Sequence, residues 1–442
     1  MQKKSDITKE LEKRLPTVIY REPNFDTMRP ACLVDVMANI RKIKTKPREI
    51  KTFGEFVHIF LNFVKHSANG SSRVDLVFDS YLEKTIKDSE RKRRARTPAV
   101  ELNKVERETP LPVQMEKFWP SSKNKASLET LIHHDAILYP WNGNIDVFVS
   151  AFDLIHGKSL QAFKISNELV VTTPDLDVKI EEADLRLVLH AYHATRHGFK
   201  RVIIQSQDTD VLILFLYNWN SLASFGLKEA WITAGVGDTS RYIPIHILAD
   251  ILGEKLCQVL PAVHVLTGCD YTSKFGTKAA ALKATPELFL KDFVTLKSNI
   301  ENQITQAEQY LIQVKKQGSC CKNFDQLRSY IYHHSKSSDL PPTSHETRFH
   351  IFRALYAAHI MKTGITASED HYDPRLYGYG EEDDLLIPKR GRNPIPEDFT
   401  VTCNCSKCST DRCQCRTKHL PCCSFCKCRS NVSNDKCANP FA

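Results

Sequence analysis

The sequence predicts an α/β protein: a mostly parallel sheet flanked by helices, followed by a helical segment and a small cysteine-rich zinc domain. Three observations carry this. From residue 31 onward, short β-branched runs alternate with longer helical stretches, the pattern of strand–helix–strand units. Acidic residues stand where those runs end or begin. Ten of the fifteen cysteines crowd between Cys403 and Cys437.

Residues 1–30 are polar and charged, with Pro at 16, 23 and 30, and read as a loosely held arm. The expected strands are Cys32–Asp35, Val74–Phe78, Leu169–Thr172, Val202–Gln205, Ala230–Thr233 and Val263–Leu266. The expected helices include Phe53–His66, Glu181–His197 and His246–Val259. The stretch 98–145 carries Pro98, Pro110, Pro112, Pro120 and Pro140 and reads as an insertion or flexible flank. Residues 286–364 form a helical extension; Phe349, Ile351, Phe352, Leu355, Tyr356 and Ile360 give it an amphipathic stripe. Residues 365–400 read as a linker and 401–440 as the zinc domain.

At 442 residues there is room for a large core and an accessory module. A hydrophobic fraction of 42% and a charged fraction of 26% are ordinary for a globular chain. No apolar run approaches the roughly 20 residues of a membrane span. Met1 to Leu15 lacks an apolar core, so no secretory signal is expected. The net charge of +9 favours a polyanionic partner. Without a secretory signal, the cysteine cluster reads as a metal site in a reducing compartment.

Seven carboxylates carry the chemistry. Asp35 ends Ala31-Cys32-Leu33-Val34. Asp79 ends Val74-Asp75-Leu76-Val77-Phe78. Glu182 and Asp184 open an apolar helix, Asp208 and Asp210 follow Arg201 to Gln205, and Asp270 follows Val263 to Cys269. Strand ends of a parallel sheet converge on one edge. Carboxylates gathered there repel one another and are tolerable only with cations between them. The set reads as a pocket for two divalent metals, which is phosphodiester chemistry. Oxygen ligands suit Mg²⁺ or Mn²⁺.

These segments resemble, in order, the signature blocks of the flap endonuclease (XPG-type, PIN-like) nuclease family. Leu33-Val34-Asp35-Val36-Met37 resembles its first-strand Asp block, and Val77-Phe78-Asp79-Ser80 its "VFDG". Glu182-Ala183-Asp184 is similar to its "EAE", Asp208-Thr209-Asp210 to its "DxD", and Gly268-Cys269-Asp270-Tyr271 to its "GSDY". The resemblance covers roughly residues 31–285 and implies a PIN-like fold. It also implies that Glu182, Asp184, Asp208 and Asp210 are the closest metal ligands, with Asp35, Asp79 and Asp270 acting partly through water. In that family a Lys and an Arg on the helix after the second Asp contact the scissile phosphate; Lys87, Arg91 and Arg93 are the candidates here. The chain departs from the family in three places, one of them an insertion between Asp79 and Glu182 where the family has its helical gateway. Some thirty residues precede the first strand, and Gly276-Thr277-Lys278 keeps only a Gly-x-Lys of the duplex-anchoring loop.

The tail places cysteines at 403, 405, 408, 413, 415, 422, 426, 428 and 437 and closes with Cys437-Ala438-Asn439. It resembles a tesmin-type CXC domain, and the resemblance implies three Zn²⁺ held by Cys403, Cys405, Cys408, Cys413, Cys415, Cys422, Cys426, Cys428 and Cys437. Cys423 is extra and left unligated. So few intervening residues cannot form a core, so metal must supply the folding energy. Lys389 to Ala442 carries +6, which nine thiolates and three Zn²⁺ reduce to +3. The family's domains bind DNA; Arg412, Arg416 and Lys418 are the candidate contacts, Arg412 standing where some members insert a Tyr into the minor groove. Cys32, Cys257, Cys269, Cys320 and Cys321 read as incidental thiols. His190, His193 and His197 share helical spacing and read as packing.

The expectation is a nuclear, metal-dependent nuclease, endo- or exo-acting, with DNA favoured over RNA as partner and no membrane. The alternatives are a non-catalytic DNA- or chromatin-binding protein on a nuclease-derived scaffold, and an RNA-directed PIN-like nuclease.

Overall fold

The computed structural model describes residues 6–16, 23, 28–44, 49–68, 70–81, 86, 100–102, 104–141, 144–154, 158–180, 182–235, 239–294, 299–316, 319–335, 340–365, 373–382, 385–391, 401–423, 425–429 and 437–441. Two compact units emerge. One comprises Met1–Pro261, His359–His371 and Asp383–Leu385; the other comprises Ala262–Ala358, Tyr372–Glu382 and Leu386–Ala442.

The first unit is built on an eight-stranded sheet of order β10-β9-β8-β1-β2-β3-β6-β7. β1 (Ala31–Asp35), β2 (Arg73–Val77), β3 (Asp146–Val149), β8 (Arg201–Gln205) and β9 (Glu229–Ala234) run parallel. β10 (Arg241–Pro244) pairs antiparallel with β9 at one edge; at the other, β6 (Phe163–Ser166) pairs antiparallel with β3, and β7 (Leu169–Thr172) antiparallel with β6. β4 (Phe152–Asp153) and β5 (Ser159–Leu160) form a separate ribbon. Every residue of β1, β2 and β8 is buried. Strands covered on both faces read as near-continuous apolar runs, which is why these three were visible in the sequence. From β1 the chain moves outward to β2 and β3, then crosses back to β8 and β9. The order therefore reverses between β1 and β8, where open α/β sheets leave a crevice beyond the strand C-termini.

Helices α1 (Asp6–Glu12), α2 (Val36–Ile40), α3 (Phe53–Ser67), α4 (Ser122–Leu138), α5 (Ala183–Arg196), α6 (Thr209–Ser224), α7 (Ile245–Leu252) and α8 (Glu254–Thr267) follow in chain order. The arm is not wholly loose: Ile7 and Leu11 of α1 are buried, and Glu12 takes both Nε and Nη2 of Arg241 at 2.6 Å, placing charge on the β10 edge. α3 starts at a Thr52 cap and buries Phe53, Phe56, Val57, Phe60, Leu61 and Val64, one helical stripe. The stretch expected as a flexible flank packs on it. Phe53 N donates to Thr109 O and Gly54 N to Arg107 O, and Val105, Met115 and Phe118 join the core with α4. α4 escaped notice because its buried face is polar as well as apolar: Asn124, Lys125, Glu129, His133 and Asp135 accompany Leu128 and Ile132.

Two further expectations are corrected. The single helix 246–259 is two, broken where Gly253 turns to φ +77°. Val263–Leu266 is the last turn of α8 and not a strand. A four-residue apolar run cannot be told from a buried helical turn by periodicity alone. β3 and β6 were not foreseen.

After α8 come α9 (Lys278–Lys283), α10 (Pro286–Phe289), α11 (Ile300–Lys315), α12 (Phe324–Ser335) and α13 (Ser344–Thr363). The expected linker carries a hairpin of β11 (Tyr379–Glu382) and β12 (Leu385–Pro388). Arg353 of α13 holds it, donating from Nη1 to Gly378 O and Lys389 O at 3.2 Å. The short α14 (Gln414–Thr417) lies within the cysteine tail. Among the described residues, no helix is long and apolar enough to cross a membrane.

Candidate metal centres

Six of the seven sequence-selected carboxylates belong to the first unit, and local structure draws them to the C-terminal edge of the sheet. Asp35 ends β1 and caps α2: Oδ1 accepts from Ala38 N at 2.9 Å and Oδ2 from Ser206 Oγ at 3.0 Å. Ser206, just past β8, also accepts from Asp208 N at 3.2 Å. Asp208 caps α6 by accepting from Asp210 N at 3.1 Å, which sets Asp210 in the first helical turn. Beyond β2, Asp79 Oδ1 accepts from Ala183 N at 3.0 Å. That bond joins it to the start of α5, whose N-cap is Glu182 and whose first turn holds Asp184. Helix N-termini favour negative charge, so the starts of α2, α5 and α6 offset part of the crowding.

The offset is incomplete. Burial pushes Asp35 up to about 7, and the charges of Asp79 and Asp208 add to the rise. Carboxylates from two other chain segments thus act on Asp35 at the C-terminal edge of the sheet. Among the described residues, every set of three or more ligand atoms lying within 4.8 Å of one another is made of cysteines. The donor set of the acids, oxygen only, fits hard divalent ions such as Mg²⁺ or Mn²⁺.

Residues missed in the sequence surround Asp79. Arg186 of α5 donates from Nη2 to Ser80 Oγ at 2.7 Å and from Nε to Ile180 O at 2.5 Å. Tyr81 donates to Glu129 of α4 at 3.4 Å, and Lys125 Nζ lies 4.7 Å from the Tyr81 ring centroid. Only the i, i+4 spacing of Lys125 and Glu129 could have pointed to them, and α4 itself was not expected. Lys87, Arg91 and Arg93, with the rest of the basic run, lie outside the described residues.

Asp270 belongs to the second unit. It follows the end of α8, where Gly268 takes φ +114°; a Cβ there would meet Lys274 Cα at 2.7 Å. Lys278, the lysine of the Gly-x-Lys, is turned inward. Its Nζ donates to His264 O at 3.1 Å, Thr267 Oγ1 at 2.7 Å and Gly268 O at 3.0 Å, closing the C-terminus of α8.

The cysteine tail is a second, sulfur-only centre. Cys403 Sγ lies 3.5 Å from Cys408, 3.9 Å from Cys422 and 3.8 Å from Cys428; Cys408 and Cys422 are 3.8 Å apart, and Cys415 and Cys426 3.6 Å. Tetrahedral ligation with Zn–S of about 2.3 Å requires S···S of about 3.8 Å. The quartets Cys403/Cys405/Cys408/Cys413, Cys403/Cys413/Cys415/Cys422 and Cys403/Cys408/Cys422/Cys428 each converge and share members, so the cluster can hold zinc through bridging sulfurs. Burial pushes the Cys408, Cys415 and Cys428 thiols up, so metal binding here must displace their protons. Asn439 Nδ2 donates to Cys422 Sγ at 3.2 Å and Cys403 N to Cys426 Sγ at 3.4 Å, outer support of the kind metal thiolates use. Cys423, expected to be unligated, lies 3.9 Å from Cys426 and belongs to none of these quartets. Arg412 and Lys418 are exposed, whereas Arg416 is half-buried and tied to Ser409 O and Asp411.

Compared with known proteins, the chain matches no family model and no curated relative.

Proposed function

We propose that the protein is a metal-dependent nuclease acting on DNA, with a PIN-like sheet carrying the hydrolytic site and a CXC-type zinc tail that contacts nucleic acid. One feature carries the reading: Asp35, buried at the end of β1, shares Ser206 with Asp208 and feels the charges of both Asp79 and Asp208, which come from two other chain segments. A fold does not gather like charges at a crevice mouth without a cation to place there.

In this reading Asp35, Asp79, Glu182, Asp184, Asp208 and Asp210 would hold two Mg²⁺ or Mn²⁺, which supply an activated water and neutralise charge on the leaving oxygen. The residues of the chain orient those carboxylates. Ser206 holds Asp35 and Asp208 together, and the Ala183 amide fixes Asp79. Asp270 is the seventh carboxylate that the resemblance assigns, and Asp270→Asn belongs in the same assay. Arg412 and Lys418 are exposed cations of the tail through which it would meet phosphates.

A second reading, a DNA- or chromatin-binding scaffold without catalysis, draws on Lys278. Its ammonium is engaged by three acceptors of its own fold and not presented to a backbone phosphate.

The test is cleavage of a labelled panel in Mg²⁺ and in Mn²⁺: single-stranded DNA, duplex, 5′-flap and RNA, with Asp208→Asn/Asp210→Asn as control. Cleavage lost in the control supports the nuclease, and the preferred substrate decides DNA against RNA. No cleavage of any substrate, with DNA still bound, selects the scaffold.

A further inference from the structure

Two of the nine cysteines that the CXC resemblance assigns to zinc, Cys426 and Cys437, belong to none of the three converging quartets. Cys426 is 0% exposed, so a metal at its sulfur must draw its other ligands from the tail itself. Two sulfurs flank it: Cys415 at 3.6 Å and Cys423 at 3.9 Å. Both separations suit a tetrahedral zinc thiolate, whose sulfurs stand about 3.8 Å apart. Cys415 already belongs to a quartet. Cys423 is the tail cysteine outside the assigned nine.

The local chain presents Cys423 and Cys426 as a pair. They form a Cys-x-x-Cys, closed by a turn in which Cys426 N donates to Cys423 O at 3.0 Å. That spacing lets two thiolates of one turn meet one zinc. Cys403 N donates to Cys426 Sγ at 3.4 Å, support that favours a ligating thiolate. Phe425, inside the turn, has its carbonyl 3.0 Å from His333 Nε2 and its ring edge-on to Tyr332, so the turn is also held from outside. Cys422, one residue earlier, is buried and belongs to two quartets, whereas Cys423 is half-buried. The adjacent thiols thus divide between the interior of the cluster and its rim.

We propose that Cys423 is a tenth zinc ligand: with Cys426 and Cys415 it binds a zinc ion at the rim of the cluster, and a sulfur shared with the neighbouring quartet completes the site. The proposal rests on the zinc-tail reading above and adds a ligand that the nine-cysteine set leaves out. It also changes how the sulfurs are shared. Three four-coordinate zinc ions need twelve sulfur contacts, which nine cysteines supply with three bridging sulfurs and ten with two. Serine at 423 forces a third bridge or an open position, and either loosens the rim zinc. That zinc sits at the foot of the turn that carries Phe425 to α12.

The full-length, zinc-loaded protein is tested in two ways. Brief labelling with N-ethylmaleimide, read by mass spectrometry, compares Cys423 with Cys405 and Cys269, all three half-buried. Cys405 belongs to a quartet, and Cys269 lies outside the tail. Cys423 is expected to be protected as Cys405 is, and to be labelled once zinc is chelated. Labelling at the Cys269 rate with zinc bound overturns the proposal. So does a Cys423 that stays unlabelled after chelation, since a disulfide then holds it. In the second test, zinc release to a chromophoric chelator is timed for wild type, Cys423→Ser and Cys320→Ser. Cys423→Ser is expected to give up one zinc at least about 10-fold faster, the least that losing even an outer-shell partner costs. Cys320→Ser, at an exposed thiol outside the tail, should match wild type. Should Cys423→Ser fail to fold, the labelling of wild type decides. Release unchanged in Cys423→Ser overturns this inference alone. A wild-type chain that holds no zinc overturns the zinc-tail reading and this inference with it.

Discussion

Arg73 and Asp75, two residues apart on β2, form a bidentate ion pair whose side chains are 1% and 0% exposed: Nε and Nη2 each donate to the carboxylate at 2.7 Å. Spacing of two puts both on one face of the strand. His190 and His193 of α5 complete the group, with His190 Nδ1 at 2.7 Å from Asp75 Oδ1 and His193 Nδ1 at 2.9 Å from Arg73 Nη2. The guanidinium also stacks 3.8 Å from the Phe148 ring centroid. The network ties α5, which starts at Glu182 and Asp184, to a defined height on the sheet.

Removing one partner should therefore cost more than removing both. Asp75→Ala leaves the Arg73 charge buried and is expected to destabilise by about 3–5 kcal/mol. The double replacement Arg73→Met/Asp75→Leu, which fills the space without charge, should cost far less. Urea denaturation of the three proteins measures both values. A loss under about 1 kcal/mol for Asp75→Ala would show that water reaches the pair.

His350 gives a pH dependence of known sign. It is buried on α13, and its Nε2 meets Leu266 O at 2.8 Å. Burial lowers it from 6.5 to about 4, with Arg353 adding to the fall and the Leu266 bond opposing it. A base whose folded value is depressed adds stability that is complete above its unfolded value. That stability is lost as pH drops from 6.5 toward 4, because the unfolded chain takes the proton first. The contribution is on the order of 3 kcal/mol at most. His350→Gln keeps a donor for Leu266 O and does not titrate. Wild type should lose stability relative to this variant between pH 7 and pH 4.5, followed by urea midpoints. A constant gap across that range would refute the assignment of a neutral buried ring.

The sheet centre was legible because β1, β2 and β8 are covered on both faces, and such strands read as apolar runs whatever their neighbours. The carboxylates were legible because each stands at the end of such a run or opens a helix. α4 was not, because Lys125, Glu129 and Asp135 sit on its buried face and erase the amphipathic signal. The Val263–Leu266 misreading has the opposite cause: a helix turn buried all round looks like a strand over four residues. Ser206 was passed over because a lone serine after a strand has no signature until its partners, Asp35 and Asp208, are placed around it.

Zinc removal should reach beyond the tail. Phe425, beside Cys426, is gripped by α12: its carbonyl is 3.0 Å from His333 Nε2, its ring meets Tyr332 edge-on at 5.7 Å, and Arg328 lies 5.6 Å from its centroid. With the cysteines alone forming most of the tail's interior, loss of metal should unfold 401–440 and release this contact. Hydrogen exchange with and without a zinc chelator is expected to show lost protection in the tail and in Arg328–His333, with β1, β2 and β8 unchanged. Phe425→Ala should retain zinc and still expose Arg328–His333. A tail that stays protected after chelation would contradict metal-dependent folding.

Replacing Asp208 and Asp210 separates a metal site from a structural one. Asn at 208 can still cap α6, since its side-chain oxygen accepts from the residue 210 amide as Asp does now. The double Asn variant also removes charge that presses on Asp35. Losing Asp210 from the first turn of α6 gives up a favourable helix-dipole interaction of about 0.3–1 kcal/mol, so the two effects oppose. Burial amplifies the repulsion at Asp35, which is buried, more than the dipole at the half-buried end of α6. The variant is therefore expected to melt no lower than wild type without divalent metal, while cleavage falls by at least about 10³-fold, the scale of losing an electrostatic stabiliser of the transition state. Scanning calorimetry without and with Mn²⁺ reads the other half of the argument. Wild type should gain thermal midpoint on Mn²⁺ addition and the variant should not, because only a folded state that binds the ion is stabilised by it. A variant that melts well below wild type without Mn²⁺ and gains as much from it would make these two acids structural.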